Sequence, residues 1–358
     1  MKKLSLKKKT VKKQVIPSRI TNETVAEHRE RILAGGRRFK YPMQYARHRL
    51  VITTVIISIA AIALATFIGW WQLYPAQNTS TFMYRVTRVL PLPVASVDNY
   101  SVRYSDYLMY YNGSAHWLRK NEKINFSSKD GQLQNNFIKR KSMDIAIASA
   151  YAHKIATERG ISVSYDRINA EADAARNTAS GRISQEAYDA SVLSTLGWTQ
   201  SEYRQYIKNR LLLQDVSFAV DDTATKHKQL IADAIASGVT DLDTLVAAVK
   251  ADERTKPTVA TSGLVPIKND DGGLAKQASQ LEKGQISQPI RTSSGDGYYF
   301  VKLLEKSKTQ VNYSYVRVPL TAFDNRLDEL RRTGKITEYI SIIASDQQQA
   351  PATNEQSQ

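Results

Sequence analysis

The sequence predicts an α+β protein in which one transmembrane helix precedes a mostly helical domain and a small antiparallel sheet. Three observations predict this class. Residues 50–84 contain no charged side chain, apolar residues from Tyr104 to about Lys250 follow a helical spacing, and short β-rich runs punctuated by Gly and Pro fill 257–319. The chain has room for two folded domains after the membrane helix.

The uncharged segment contains Val51 to Trp71, a run of 21 mostly apolar residues. As a helix rising about 1.5 Å per residue, it is roughly 30 Å long, the thickness of the hydrocarbon core of a bilayer. The 49 residues before it hold fifteen Lys and Arg against three Glu. We therefore expect a single-pass cell-membrane protein with a cytoplasmic amino terminus and an extracytoplasmic carboxyl-terminal domain. The alternatives are a buried soluble helix and a cleaved signal peptide, whose apolar core would be only about 7 to 15 residues.

Most of the net charge of +16 lies in the basic tail, since residues 1–49 contribute +12 and the other 309 residues only +4. We expect this tail to meet anionic membrane lipid or solvent, with a ribosome or RNA contact as the alternative. No nucleic acid partner is expected for the rest. The chain has no cysteine, which excludes disulfides and thiol chemistry, and its five histidines are scattered. No metal and no cofactor are expected.

The helical region contains clear start and stop signals. From Ser128 to Gly160, apolar residues recur at steps of three and four, and glycine commonly ends a helix. Thr199 and Glu202 fit a capping box, in which each side chain satisfies backbone donors at a helix start. Shorter helices are expected at 165–176, 185–193, 222–237 and 242–250.

Strands are expected at 290–292, 298–304 and 311–318, and the turn between the last two is short enough for an antiparallel hairpin. After Pro319 a helical period returns and is broken near Gly334. Its apolar positions are Phe323, Leu327, Leu330, Ile336, Tyr339, Ile340 and Ile343. Because a small sheet cannot bury this face, we expect the segment to rejoin the helical domain.

These patterns divide the chain into six parts. They are a basic cytoplasmic tail at 1–49, a transmembrane helix at 50–72, a linker at 73–92, a helical domain at 93–220 completed by 321–345, a sheet domain at 221–320, and a polar disordered tail at 346–358.

Three segments of the helical domain resemble a known family. They are Pro93–Asn99 with Tyr104–Leu108, Gly160–Ser164, and Leu196–Thr199 leading into Leu211–Leu213. In this order they are similar to the opening strand, first helix and later helix starts of the SurA/PrsA type of exported chaperone. The resemblance implies binding of unfolded or nascent exported polypeptides and a second domain of the parvulin (PpiC-type) peptidyl-prolyl isomerase class.

Residues 230–306 resemble that parvulin domain, most closely at Leu281–Ile290 and Tyr298–Leu303. Two positions depart from the family pattern, which has a histidine where this chain has Tyr299 and usually a phenylalanine where it has Leu274. The module is therefore expected to be degenerate.

The opening strand of a parvulin, with a second histidine, has no counterpart before Leu230. Val311–Leu320 resembles that strand displaced to the end of the module, so the resemblance implies a circular permutation. By this alignment Tyr315 occupies the second histidine position, and Tyr315 is expected to lie across from the strand that carries Tyr299.

The function expected is that of a membrane-anchored extracytoplasmic foldase or chaperone. Candidate peptide-binding residues are Tyr299, Tyr315, Leu274 and Tyr313, and no catalytic residue is assigned. Isomerase activity stays open, because twisting an imide requires stabilisation of the transition state and no nucleophile. Plain packing of the tyrosines on the sheet is the alternative for these residues, and a non-enzymatic envelope scaffold that docks one dedicated partner is the alternative function.

Overall fold

The computed structural model describes residues 20–40, 42–178 and 181–342, and the chain divides into two compact units with the boundary between Trp71 and Gln72. The expectations for residues 1–19, for Ile343 and for the polar tail at 346–358 fall outside the described residues.

The first unit contains helix α1 (Asn22–Lys40), which the sequence pattern does not predict, and nearly all of helix α2 (Pro42–Leu73). From Arg49 to Leu73, α2 is long and apolar enough to cross a membrane, with a mean hydropathy of 2.6. Its apolar side chains, such as Ile57 and Leu64, are exposed and not packed against protein. This segment is the candidate transmembrane helix that the sequence predicts at 50–72.

The start of the second unit differs from the linker that the sequence predicts at 73–92. Leu73 is only 1% exposed and belongs to the core of the unit. A further helix, α3 (Thr81–Val89), begins at the N-cap Ser80 and buries Met83 in the same core. The proline and polar residues before α3 are typical of a connection, whereas the burial of this segment depends on distant parts of the chain.

The helical part continues with a strand hairpin and five helices. These elements are β1 (Pro93–Val97), β2 (Tyr100–Arg103), α4 (Tyr104–Asn121), α5 (Lys129–Arg159), α6 (Tyr165–Ala174), α7 (Gln185–Leu196) and α8 (Gln200–Val220), with a small hairpin of β3 (Asn177–Thr178) and β4 (Gly181–Arg182) between α6 and α7. The boundaries predicted from capping are confirmed. Ser128 accepts from the Gly131 amide, Gly160 ends α5 with a φ of +68°, and Thr199 and Glu202 form both halves of a capping box.

Helices α4, α5 and α8 pack around one apolar core. Tyr104, Tyr107 and Met143 are completely buried in it. The Tyr104 and Tyr107 rings meet edge to face, 5.7 Å apart. Burial of these large aromatic side chains adds to the apolar area that stabilises this core.

A four-stranded antiparallel sheet with helices on both faces follows. Its elements are α9 (Asp222–Ala236), α10 (Leu242–Ala247), β5 (Thr258–Pro266), α11 (Leu274–Ser279), β6 (Ile290–Arg291), β7 (Gly297–Lys306) and β8 (Gln310–Pro319), with strand order β5-β8-β7-β6. The predicted hairpin of β7 and β8 is confirmed, and Val301 lies opposite Tyr315 in it. The sequence did not predict β5, which pairs with the other edge of β8.

The chain then forms α12 (Ala322–Arg332) and β9 (Ile336–Glu338). Helix α12 places its buried residues, which include Phe323, in the same core as α4 and α5. The predicted return of the helical period beyond Gly334 is wrong. Gly334 has a φ of +70°, and Ile336 and its neighbours pair with β1 in a three-stranded sheet of order β2-β1-β9. Backbone hydrogen bonds to a distant strand decide this conformation, and apolar spacing does not report them.

An ion pair holds this last strand in place. The Arg140 guanidinium on α5 donates to both carboxylate oxygens of Glu338, at 2.9 and 2.7 Å. Two-pronged contacts of this kind fix orientation as well as adding energy. Ile340 follows the strand and is buried in the core, whereas Tyr339 between them is exposed.

Asp221 joins the two points at which the chain crosses between the helical part and the sheet. Its Oδ1 atom accepts the Ala224 amide (2.8 Å) and so caps α9. Its Oδ2 atom accepts the amides of Thr321 (2.7 Å) and Ala322 (2.9 Å), where the chain leaves the sheet and enters α12. The carboxylate is 1% exposed. One buried side chain therefore ties together the entry to the sheet region and the exit from it.

Candidate functional site

The tyrosines singled out in the sequence form one cluster on a single face of the four-stranded sheet. Side chains alternate along a strand, so Tyr299 on β7 and Tyr313 and Tyr315 on β8 share a face. The ring centroids of Tyr299 and Tyr315 are 5.5 Å apart, and those of Tyr313 and Tyr315 are 6.1 Å apart. Leu274 on α11 covers the same face. The structure thus brings all four predicted residues together.

The cluster is more closed than a peptide groove would be. Leu274, Tyr299 and Tyr313 are 5%, 7% and 2% exposed, and only Tyr315 is half-buried. The opposite face of the β7–β8 hairpin, which includes Phe300, packs against α9 and α10. Tyr315 is therefore the member of the cluster best placed to meet a ligand.

Carboxylates hold two of the tyrosine hydroxyls. Tyr299 donates to Asp296 Oδ2 (2.8 Å), and Tyr313 donates to Asp271 Oδ2 (2.7 Å). Burial and the neighbouring carboxylate raise the pKa of each of these tyrosines. Both phenols therefore remain neutral, and their single protons are committed to bonds inside the protein.

Asp296 is the polar centre beside the cluster. Its Oδ1 atom accepts the Ser294 hydroxyl (2.5 Å), and the Arg317 Nε lies 2.8 Å from Oδ2 without the alignment of a hydrogen bond. Burial alone would raise the pKa of Asp296, but the bonds from Ser294 and Tyr299 and the charge of Arg317 lower it. Sequence reasoning missed this carboxylate, although a Ser-Ser-Gly-Asp run before a strand is a turn signal.

The loop that carries Asp296 attaches the sheet to α8. Gln214 Nε2 donates to the Thr292 carbonyl oxygen (2.8 Å), and Arg210 donates to the Ser293 carbonyl oxygen (3.0 Å). A cleft of about 300 Å³ lies beside these contacts. Asp296 and Arg317 line it, together with residues of α8 and α12.

A larger cleft, of about 510 Å³, opens in the helical part. Its wall carries charged side chains of both signs next to aromatic ones. The charged ones are Arg88, Arg103, Asp106, Glu202 and Lys208, and the aromatic ones are His153, Tyr84 and Tyr100. Sequence reasoning did not predict this cleft, because its residues come from α3, β2, α4, α5 and α8.

The carboxylates of the larger cleft differ in their surroundings. Glu202, which completes the α8 capping box, accepts the Tyr84 hydroxyl (2.8 Å) and lies 3.3 Å from Arg88. Burial raises the pKa of Asp106, while Arg103 and His153 oppose that rise. The cleft therefore offers both donors and acceptors, which suits the amide groups of an extended polypeptide.

Within residues 20–40, 42–178 and 181–342, no three His, Asp or Glu side chains lie close enough to hold a metal ion. In that same part of the chain, His153 bonds to Asn209 Oδ1 (3.1 Å) and His116 to the Ser194 carbonyl oxygen (2.9 Å). Both histidines therefore support packing between helices.

Comparison with known protein families identifies a domain in the first part of the chain. A SurA-like N-terminal domain is found at residues 43–217, which cover the candidate membrane helix, α3 and the helical part as far as α8. No curated protein matches the chain. The domain supports a chaperone-type function of the SurA/PrsA kind, and its match ends before the four-stranded sheet.

Proposed function

We propose that this protein is a membrane-anchored extracytoplasmic chaperone that binds unfolded exported polypeptides. The SurA-like N-terminal domain at residues 43–217 is the observation that carries the proposal. SurA-like domains are extracytoplasmic, and the basic residues before the span favour the same orientation. The candidate membrane helix within the matched region supports anchorage in the cell membrane.

The larger cleft of the helical part is the proposed binding site for clients. Its charges of both signs can pair with main-chain amides and carbonyls, which every polypeptide offers. Tyr84, Tyr100 and Met109 add apolar and aromatic contact area to the same wall. Main-chain recognition of this kind gives broad specificity, as a chaperone needs.

The sheet region at 221–320 is proposed to be the degenerate, circularly permuted parvulin module. Strand β8 lies in the interior of the sheet between β5 and β7, which suits a strand displaced from the start of the module. We propose that it binds peptide at Tyr315 with little isomerase activity. Tyr299 already donates its hydroxyl proton to Asp296, so it offers no proton to a twisted imide.

A fragment from Gln72 to Gln358 tests the proposal, since Leu73 belongs to the core and must be kept. The fragment should suppress aggregation of several unrelated unfolded proteins and should accelerate prolyl isomerisation of a model peptide weakly or not at all. If the fragment protects none of these unfolded proteins but binds one folded envelope protein tightly, the scaffold function is favoured instead.

The site within the fragment can be located by photo-crosslinking. A benzophenone on a single cysteine at Tyr100, which lines the cleft, should capture unfolded clients, and no native cysteine competes for the label. The matched control is the same label at Leu230, an exposed residue of α9. Equal capture at the two positions would contradict a binding site in the cleft.

A further inference from the structure

Helix α3 turns large apolar side chains away from the core. Its inner face buries Met83, Tyr84 and Thr87. On its outer side Phe82 is 67% exposed and Val89 is 81% exposed. Scattered exposed apolar residues are ordinary in a protein, but two on one short helix form a patch that invites a partner.

The outer face combines these apolar residues with positive charge. Phe82, Arg85 and Val89 recur at i, i+3 and i+7 and so lie on one stripe of the helix, and Arg85 is exposed. Leu90, the C-cap residue, is also exposed. An apolar stripe that carries arginine is the composition of helices that lie at the interface of a membrane.

Two hydrogen bonds connect the first residue of the second unit to the segment just before α3. The Asn78 amide donates to the Gln72 carbonyl oxygen (2.8 Å), and the Asn78 side chain donates to Gln72 Oε1 (2.8 Å). Ser80, the N-cap of α3, is only two residues further on. With 3.8 Å between successive Cα atoms, Ser80 lies no more than about 8 Å from Asn78.

The same segment is fixed within the second unit by hydrogen bonds and by its core. The Tyr104 hydroxyl donates to the Leu73 carbonyl oxygen (2.6 Å), and the Tyr74 hydroxyl donates to the Pro93 carbonyl oxygen (2.7 Å). Leu73 and Met83 belong to one core. The core of this unit therefore begins two residues after Trp71.

We propose that α3 is an interfacial helix whose outer face rests on the extracytoplasmic phospholipid leaflet. Phe82, Val89 and Leu90 enter the boundary between headgroups and acyl chains, and Arg85 pairs with lipid phosphate. This inference rests on the proposed membrane anchorage. It adds a second lipid contact to the one that the span makes.

The test uses the full chain reconstituted in vesicles of phosphatidylcholine and phosphatidylglycerol. Because the chain has no cysteine, an NBD fluorophore can be placed singly at Phe82→Cys or Val89→Cys. Ile57→Cys in the span reports insertion, and Leu193→Cys, an exposed leucine of α7, is the matched aqueous control. Quenching by nitroxide-labelled lipid is compared with quenching by aqueous iodide.

The expected result is a blue shift and strong quenching by lipid nitroxide at positions 82 and 89, with position 193 quenched mainly by iodide. Arg85→Gln should reduce the lipid quenching at position 82, more in vesicles rich in phosphatidylglycerol. Lipid quenching at 57 with iodide quenching at 82 and 89 would overturn this inference and leave the anchorage intact.

Two other outcomes also overturn the inference. No lipid quenching at position 57 would show that the span is not inserted, and the proposed anchorage would fail with it. Protection of position 82 from both quenchers would show that protein, either a second copy or another chain, covers α3.

Discussion

Removing the Asp221 carboxylate should destabilise the Gln72–Gln358 unit by about 3 to 5 kcal/mol. The Asp221→Ala variant loses the cap of α9, which costs roughly 0.5 to 2 kcal/mol. It also leaves the half-buried amides of Thr321 and Ala322 without an acceptor, which costs about 1 to 3 kcal/mol for each unsatisfied group. The cost for each amide falls in the lower part of that range because water can reach part of this segment.

Urea unfolding followed by circular dichroism measures this loss, and Asp241→Ala is the matched control. Asp241 caps α10 by accepting the Thr244 amide (2.8 Å) but joins no second chain segment, so its loss should cost only the capping contribution, about 1 kcal/mol. Asp221→Asn keeps an acceptor oxygen and should fall between the two. Equal losses for Asp221→Ala and Asp241→Ala would refute the linking role of Asp221.

Three further predictions concern packing, pH dependence and topology. Gly113→Ala should lower the melting temperature, because an added Cβ would lie 2.7 Å from the Trp198 indole. Overpacking costs about 1 to 3 kcal/mol and outweighs the gain in helix propensity of about 1 kcal/mol. An unchanged melting temperature would contradict this prediction. The pKa of Tyr299 is raised above its unfolded value of 10.0, so the unfolded chain ionises first and the free energy of unfolding should fall as pH rises past about 10. Tyr299→Phe should lessen that fall, as measured by the urea midpoint at each pH. An identical pH dependence of the variant and the native protein would contradict this prediction. Protease added to spheroplasts should digest the domain after the span and spare the basic tail, whereas a protected domain would reverse the proposed orientation.

Elements with local signals could be predicted from the sequence. Thr199 and Glu202 satisfy each other's backbone donors within one turn, so three residues suffice to recognise the start of α8. The pairing of the strands that carry Tyr299 and Tyr315 could also be predicted, because a short turn between two β-rich runs allows only a few antiparallel registers.

Elements decided by distant partners could not be predicted in this way. Strand β5 is exposed on both sides along most of its length, so it lacks the alternation that marks a half-buried strand. Ile336 and Ile340 fit a helical spacing, and a three-residue strand is too short to show an alternation that would exclude a helix. The carboxylate partners of the site tyrosines depend on loop conformation, which residue spacing does not encode.

The pairing of β9 with β1 has a consequence for the timing of biogenesis. Val97 and Ile336 are partners in the sheet but lie 239 positions apart in the chain. At about 5 to 20 residues per second, a ribosome needs roughly 10 to 50 s to make the residues between them. Throughout that interval β1 has its β2 neighbour but lacks its other partner, and Arg140 has no Glu338 to bind. The nascent protein is thus an incompletely folded chain during this time, and its fold closes only after nearly all of the described sequence has been made.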